Sequence, residues 1–252
     1  MSKPDYSRFE SLTFERFREL ARDDSLSAYE KIGFPDAYRA GHEENIFSDI
    51  CAKLTNLGLK ERIVIDVGPG VSSLPRQLGA LCVRQGHRLL LVDAKEVLDH
   101  LPDNPQIEKI PARYPDGCPE LFGRLDQRVD VLLCYSVLHY VFAEANVFDF
   151  LDRSLALLAP GGQMLIGDVP NVSKRKRFFA SAAGVRFHQE FTGTSEIPEV
   201  AFNRLEPRKI DDGVVMSLLQ RARSAGFDAY VVPQAAALPL ANRREDILIT
   251  RP

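Results

Sequence analysis

Two apolar runs that each include an acidic residue constrain the fold of this chain most strongly. Residues 64–70 read VIDVGPG, and residues 89–93 read LLLVD. An apolar, β-branched run that leads into a glycine turn predicts a strand, a ligand-binding loop and the start of a helix. The second run predicts another strand, and its Asp93 lies 23 positions after Gly70, close to the roughly 20 expected of a ribose-binding acid. The two runs therefore predict a nucleotide-binding α/β sheet.

The glycine turn differs from the one that binds a nicotinamide dinucleotide. Ser73 replaces the third glycine of that pattern, Pro69 removes one backbone N–H, and Asp66 would repel a pyrophosphate. A ligand with an ammonium and a sulfonium group would instead be attracted to Asp66, directly or through water. S-adenosylmethionine (SAM) carries both cations and a ribose. The D-x-G-x-G turn therefore resembles motif I of the class I SAM-dependent methyltransferases.

Two later segments resemble the same family and follow in its order. Residues 129–139 read VDVLLCYSVLH and resemble the fourth strand with its loop. Residues 157–166 read LLAPGGQMLI and resemble the turn into the fifth strand. The resemblance implies a doubly wound, seven-stranded mixed sheet of Rossmann-like α/β class in the order 3-2-1-4-5-7-6. It also implies that SAM is the cofactor.

The hydrophobic pattern gives approximate bounds for the elements. Strands are predicted near residues 62–67, 88–93, 106–110, 129–134, 162–168, 227–232 and 246–250. Helices are predicted near residues 11–20, 40–58, 72–85, 95–100, 144–158 and 211–226. We expect residues 1–60 to form a helical N-terminal cover over the cofactor cleft and residues 61–252 to form the SAM-binding α/β domain. Within that domain, residues 171–207 are expected to be an insert after strand 5 on the acceptor side.

The candidate cofactor-binding residues follow the carboxyl ends of the predicted strands, where open α/β sheets bind ligands. They are Asp66, Gly68, Pro69, Gly70, Asp93, Ala94, Ala112, Arg113, Tyr135 and Ser136. The alternative for the glycines is an ordinary strand-to-helix turn, and for Asp93 a solvated strand-end acid. Residues 111–114 are equally consistent with adenine contacts, as in the family, and with a plain loop. Arg39 is compatible with binding the cofactor's carboxylate and with solvation.

Two residues are candidates for catalysis. His139 follows the fourth strand on the expected substrate side, and a neutral imidazole takes a proton from a hydroxyl during methyl transfer. The rate of such a reaction falls as the pH drops through the titration of the histidine. The alternative is a helix-start histidine bonded to backbone. Asp168, at the end of the fifth strand, is a candidate for a base, for a group that orients one, or for a cap of the next segment.

The expected acceptor is a small molecule, and the expected reaction is O-methylation of a hydroxyl. The segment after strand 4 lacks the prolines typical of nucleic-acid amine methyltransferases, and it lacks the carboxylate of a metal-dependent catechol-type site, so no metal is expected. The net charge of −3 gives no general attraction to nucleic acid or to anionic membranes. The basic residues 174–177 are compatible with a phosphate of a sugar nucleotide or with a solvated helix face. The second half also resembles, loosely, methyltransferases of bacterial surface-sugar gene clusters.

Two other functions stay open: a nucleotide-cofactor oxidoreductase on the same fold, and a non-catalytic SAM-binding subunit. Asp66 and Pro69 disfavour the first, and the intact glycine turn with Asp93 disfavours the second. The four cysteines form no C-x-x-C pair, and the chain has neither an apolar signal core nor a run of ~18 apolar residues. We therefore expect reduced thiols and a cytoplasmic protein. The oligomeric state stays open, with a homodimer as one option.

Overall fold

The computed structural model describes residues 12–252. Its centre is a seven-stranded sheet in the order β3-β2-β1-β4-β5-β7-β6, which confirms the order that the family resemblance implied. The strands are β1 (Ile63–Val67), β2 (Arg88–Asp93), β3 (Ile107–Pro111), β4 (Val129–Tyr135), β5 (Leu158–Pro170), β6 (Asp228–Val232) and β7 (Arg244–Thr250). The first five strands run parallel, and β7 runs antiparallel to both β5 and β6. The start of β7 therefore meets the carboxyl ends of the parallel strands.

Helices cover both faces of this sheet. They are α1 (Phe14–Arg22), α2 (Ala28–Lys31), α3 (Asp36–Arg39), α4 (Glu43–Lys53), α5 (Ser73–Gln85), α6 (Lys95–Leu98), α7 (Pro119–Leu125), α8 (Leu138–Glu144), α9 (Val147–Leu157), α10 (Val172–Phe179), α11 (Ala182–Thr192) and α12 (Asp212–Ser224). The first position of the predicted helix over 11–20 lies outside the described residues. Most predicted elements are present within a few residues of their expected bounds.

Three departures from the predicted elements have local causes. The helix predicted over 144–158 is α9, which begins at Val147 because the Asn146 side chain accepts hydrogen bonds from the backbone N–H groups of Phe148 and Asp149, and the preceding α8 was not predicted. Helix α7 was not predicted. It begins at Pro119, a residue suited to a first helical turn, but its seven residues are too few for a clear periodic pattern. The insert over 171–207 contains α10 and α11, which the pattern did not separate.

The two largest clusters of the hydrophobic core lie one on each face of the sheet. Alternate residues of β1 divide between them, since Ile65 packs with Phe150 on one face and Val64 packs with Leu78 on the other. Burial of both faces explains why the parallel strands read as continuous apolar runs. The four cysteines are free thiols, and all except Cys51 are buried.

Two strand ends at the ligand-binding edge adopt unusual backbone conformations. Ser136, just after β4, has φ +63°, and Asp168, near the end of β5, has φ +58°. The pairing of β5 with β7 shifts between Ile166 and Val169, so a bulge surrounds Asp168. Bulges redirect side chains next to functional sites, and left-handed conformations of residues other than glycine are sparsely populated. With these conformations, the side chains of Ser136 and Asp168 both contact Arg244 at the ends of β4 and β5.

Asn171 fastens the insert to the sheet. Its side-chain oxygen accepts hydrogen bonds from the N–H groups of Ser173 and Lys174 and so caps α10. Its amide nitrogen donates to Asp212 at 2.7 Å and to the buried Glu245 at 2.6 Å. One side chain therefore joins β5, α10, α12 and β7.

We predict that Asn171→Ala destabilises the protein more than Asn146→Ala, which serves as the matched control. Both changes remove a helix cap, worth about 1 kcal/mol. Only Asn171→Ala also removes a donor from the buried Glu245, which adds roughly 1–3 kcal/mol. Urea unfolding of the two variants measures both losses. Equal free energies of unfolding would contradict the bridging role of Asn171.

Candidate active site

A cleft lies at the carboxyl ends of the parallel strands. Of the predicted cofactor residues, it is lined by Gly68, Pro69, Gly70, Asp93, Ala112, Arg113, Tyr135 and Ser136. The predicted residues Asp66 and Ala94 are each only 3% exposed and do not line it. The structure thus brings residues from four separate strand ends together, as expected from a parallel sheet in which β1 lies between β2 and β4.

The glycine turn needs its glycines for two physical reasons. Gly68 and Gly70 have φ +69° and +67°, a region that side chains disfavour. A Cβ on Gly68 would lie 2.5 Å from a methyl group of Val137, and one on Gly70 would lie 2.6 Å from a methyl group of Ile32. The turn is therefore closely packed against α2 and the loop after β4.

Asp93 closes the turn from the end of β2. Its Oδ1 accepts a hydrogen bond from Ala94 N at 2.7 Å, and its Oδ2 accepts one from Gly70 N at 3.3 Å. Burial raises the pKa of Asp93 to about 6, although these two bonds oppose the shift. Burial and the neighbouring Asp93 raise the pKa of Asp66 to about 8. A cation in the cleft would favour the ionised form of both carboxylates.

Helices α1 to α3 supply the opposite wall of the cleft. Phe17, Ile32 and Phe34 line it, and the ring of Phe17 meets the ring of Tyr140 edge to face at a centroid distance of 4.9 Å. Lys31 also lines the cleft, and its recorded ion pair is a 4.0 Å contact with the fully exposed Asp24. The sequence analysis expected residues 1–60 to cover the cleft but singled out none of these residues, because a helical pattern does not show which side chains reach a ligand.

Glu144 is a site residue that the sequence analysis missed. It lines the cleft at the end of α8, forms a 3.0 Å ion pair with Arg113 and accepts a 3.4 Å hydrogen bond from Phe14 N. Its other oxygen, Oε1, is buried and has no hydrogen-bond partner among the described residues. An accepting atom is therefore unused at the end of the cleft formed by α1, β3 and α8.

An ion-pair cluster lies at the other end of the cleft. Asp168 Oδ2 accepts hydrogen bonds from Arg39 at 3.2 Å and from Arg244 at 2.7 Å. Arg244 also donates to Asp168 O at 3.0 Å and to Ser136 Oγ at 3.3 Å. The Arg39 guanidinium lies 4.6 Å from the ring centroid of Phe34. Arg39 is thus a buried ion-pair residue, and the solvated alternative is wrong.

The surroundings of Asp168 disfavour its predicted role as a base. Burial by itself would raise the pKa of Asp168, but Arg244 and Arg39 outweigh burial and hold the pKa below its ordinary value. A carboxylate held in its ionised form by two arginines is a weak proton acceptor. The capping alternative is also disfavoured, because Asn171 caps the following helix. The geometry of Asp168 instead suits the task of orienting arginines.

His139 lies in the first turn of α8, beside the cleft but not among its lining residues. Burial, with a smaller effect of Arg244, lowers the pKa of His139 to about 3. Its Nδ1 is buried and has no hydrogen-bond partner among the described residues, so this nitrogen is not bonded to backbone. The ring is therefore neutral at ordinary pH. A fall in rate caused by protonation of His139 is expected near pH 3 and not near neutral pH.

The basic run of residues 174–177 is occupied by protein partners. Lys174 Nζ donates to Arg244 O at 2.6 Å, and Lys176 Nζ donates to Arg204 O at 2.6 Å. Arg175 pairs with Glu206, and Arg177 pairs with Asp212. These contacts disfavour a phosphate site on the run. Residues 171–207 supply no lining residue of the cleft, although Lys174 reaches the backbone of the ion-pair cluster.

Comparisons with solved structures identify the fold. A SAM-dependent methyltransferase from Aquifex aeolicus is 15% identical, with a TM-score of 0.51, and the match covers 88% of this chain and 96% of that chain. The N-methyltransferase NodS from Bradyrhizobium japonicum, solved with S-adenosyl-L-homocysteine (SAH), is 10% identical, with a TM-score of 0.51 and coverage of 95% and 98%. The plantazolicin methyltransferase BpumL, solved with a monoazolic desmethylPZN analogue and SAH, is 12% identical, with a TM-score of 0.55 and coverage of 97% and 98%.

This chain therefore has the fold of the class I SAM-dependent methyltransferases. The fold predicted from the glycine turn and the later motifs is confirmed. No protein-family model matches the sequence, and no curated protein matches it either. Within residues 12–252, no group of three or more His, Cys, Asp or Glu side chains is arranged to hold a metal ion. None of the helices in that part of the chain is long and apolar enough to cross a membrane.

We predict that Gly68→Ala destabilises the protein more than Gly161→Ala. Both glycines have positive φ, +69° and +74°, so both variants incur about 1–2 kcal/mol of backbone strain. A Cβ on Gly161 meets nothing within 4 Å, whereas one on Gly68 clashes with Val137 and adds roughly 1–3 kcal/mol. Adding Val137→Ala to Gly68→Ala should recover part of the loss. Urea unfolding measures each variant, and no recovery would exclude the clash as the cause.

Proposed function

We propose that this protein is a SAM-dependent methyltransferase that methylates a hydroxyl group of a small molecule. One observation carries the proposal. Asp93, at the end of β2, lines the same cleft as the glycine turn and is bonded to that turn through Gly70 N. A carboxylate held beside a glycine turn is the arrangement with which open α/β sheets bind an adenosine ribose.

The residues present fit this cofactor. Asp93 uses two of about four lone-pair sites on backbone N–H groups, so it can also accept bonds from the ribose hydroxyls. A Cβ on Gly68 or Gly70 would clash with Val137 or Ile32, so only glycine lets the turn pack there and still line the cleft. The unpartnered Oε1 of Glu144 is an acceptor for an amino group at the far end of the cleft.

In the proposed reaction, the protein mainly aligns the methyl donor with the acceptor and excludes water. SAM supplies a methyl group on a positively charged sulfur, and the displacement is in line. Helices α1 to α3 cover the cleft with apolar side chains such as Phe17 and Phe34, which limit the access of water. Tyr140 also lines the cleft, and burial raises the pKa of its hydroxyl to about 12, so this group stays protonated. His139 stays the candidate acceptor of the proton from the hydroxyl, but its ring is buried beside the cleft and its pKa of about 3 makes it a weak base, so alignment carries most of the proposed rate.

Two observations support a small-molecule acceptor. The cleft is lined mostly by apolar side chains and lies between α1–α3 and the sheet, a setting typical of small-molecule sites. The protein carries a net charge of −3, which gives no general attraction to nucleic acid. In this proposal residues 61–252 form the SAM-binding domain, and residues 1–60 form its cover.

We predict that Asp93→Ala weakens the binding of SAM and of SAH by about 1.5–3 kcal/mol, because the ribose loses hydrogen bonds to a charged acceptor. Titration calorimetry measures the affinity. Asp99→Ala is the control, since Asp99 is exposed and pairs with Lys95 on the surface of α6. Unchanged affinity of Asp93→Ala would overturn the proposed cofactor site.

The variant His139→Ala tests the candidate role of His139: a general base contributes about 10²- to 10⁴-fold to kcat for a hydroxyl acceptor, while the affinity for SAH should stay within about twofold. The assay measures the formation of SAH. It uses pairs of acceptors in which one carries a hydroxyl group where the other carries an amino group. Because the pKa of His139 is lowered to about 3, its proton-accepting form is fully present above that value and is lost only below it. The wild-type rate should therefore not fall between pH 8 and pH 5 on account of His139. A near-normal kcat of the variant would exclude the role of His139 as a base.

A further inference from the structure

The ion-pair cluster of Arg39, Asp168 and Arg244 contains two cations and one anion. The side chains of Arg39, Asp168 and Arg244 are 5%, 7% and 13% exposed. Both arginines bond to the same carboxylate oxygen, Oδ2. The cluster therefore has fewer acceptors than charged donors in a largely buried place.

Most guanidinium donors of the cluster are unused. A guanidinium carries five N–H donors. Among the described residues, Arg39 donates only through Nη2, and Arg244 donates only through Nη1. None of their other guanidinium nitrogens is a buried atom without a partner, so these nitrogens face accessible space. For Arg39 that space is the cleft, which it lines, whereas Arg244 lies next to the cleft and reaches its lining residue Ser136 through Nη1.

The neighbouring acids do not supply the missing acceptors. Asp246 lies behind Asp168 and is occupied by Lys53, by Gln234 and by the backbone N–H of Asp168. Lys53 in turn contacts Asp49. Among residues 12–252, no hydrogen bond joins Asp246 or Asp49 to either arginine of the cluster. The free donors are thus left for a ligand.

Aromatic rings hold the two guanidinium groups in place. Phe34 lies 4.6 Å from the guanidinium carbon of Arg39 and 5.3 Å from that of Arg244, measured to the ring centroid. Tyr135 lies 5.5 Å from Arg39 on the same measure. Stacked planar cations with fixed orientation are suited to the two oxygens of a carboxylate or a phosphate. The rings also offer an apolar surface to the body of such a ligand.

The position of the cluster assigns it to the acceptor rather than to the cofactor. The strand order places β5 two strands beyond β1, about 10 Å away at normal strand spacing, and on the side opposite to β2 and Asp93. Lys31 also lines the cleft, and the next residue, Ile32, packs against the glycine turn at Gly70. Lys31 is the cation better placed for the cofactor's own carboxylate.

We propose that the methyl acceptor is an organic oxyanion whose carboxylate or phosphate group is bound by Arg39 and Arg244 at the β5 end of the cleft. This inference rests on the proposed methyltransferase function and narrows its acceptor class. Asp168 acts as a positioning residue that holds the two guanidinium groups side by side.

The test uses the full chain saturated with SAH and three probes that share a phenyl ring: benzoate, phenyl phosphate and the neutral benzamide. Calorimetry at fixed low ionic strength measures each affinity. We expect at least one of the two anions to bind about tenfold more tightly than benzamide, and the anion that does so distinguishes carboxylate from phosphate. Equal affinities of all three probes, or no binding of either anion, would overturn the proposal.

The variants Arg39→Gln and Arg244→Gln should each weaken anion binding about tenfold or more and leave benzamide unchanged. Arg175→Gln, on the exposed face of α10, is the matched control and should bind the anions as the wild type does. An unchanged anion affinity in both cluster variants would overturn the proposal. So would a loss of SAH affinity in Arg39→Gln without a loss of anion affinity, because that result assigns Arg39 to the cofactor.

Two further measurements cover the cases in which a variant does not fold or the protein does not bind SAH. If a glutamine variant does not fold, Arg39→Lys and Arg244→Lys keep the charge but lose the planar fork, so anion affinity should fall about threefold or more. Wild-type affinity in both lysine variants would overturn the proposal. Failure of wild-type protein to bind SAH would instead overturn the proposed function, whereas SAH binding without anion selectivity would overturn this inference alone.

Discussion

The buried carboxylate of Asp168, held between Arg39 and Arg244, is the interaction on which the site depends most. It joins α3 of the cover, the bulge in β5 and the start of β7 at one point. Removal of one partner from a buried ion pair leaves an uncompensated charge and typically costs 3–5 kcal/mol. The same contacts hold Ser136 and Asp168 in left-handed backbone conformations, which persist only where the surroundings enforce them. The shape of this end of the cleft is therefore set by electrostatics more than by apolar packing.

Charge is divided along the cleft. Asp66 and Asp93 lie toward β1 and β2, and burial raises the pKa of both. Guanidinium groups lie toward β5 and β7, where they hold the pKa of Asp168 down. A ligand with positive charge near the glycine turn and negative charge near β5 would satisfy both ends. This separation of charge would favour one orientation of a bound ligand, which the sheet alone does not determine.

The sequence predicted the sheet well because its signals are local. The strand runs, the glycine turn and the acid at position 93 each follow from short patterns, and the family resemblance supplied the strand order. The cofactor roles of individual residues stay predictions. What the sequence did not predict depends on contacts between distant residues. Arg39 and Asp168 are 129 positions apart, so neither position by itself indicates an ion pair. The acidic shift of His139 likewise results from burial that no local pattern reveals.

The cover over the cleft is attached at both of its ends. Near α1, the backbone N–H of Phe14 contacts Glu144, and near α3, Arg39 contacts Asp168. Between these points Ile32 lies against Gly70. Displacement of this segment would therefore break a polar contact at each end and separate apolar side chains in the middle. Widening of the cleft is thus linked to local opening of a short helical segment, and opening steps of this kind set the turnover rate of many enzymes.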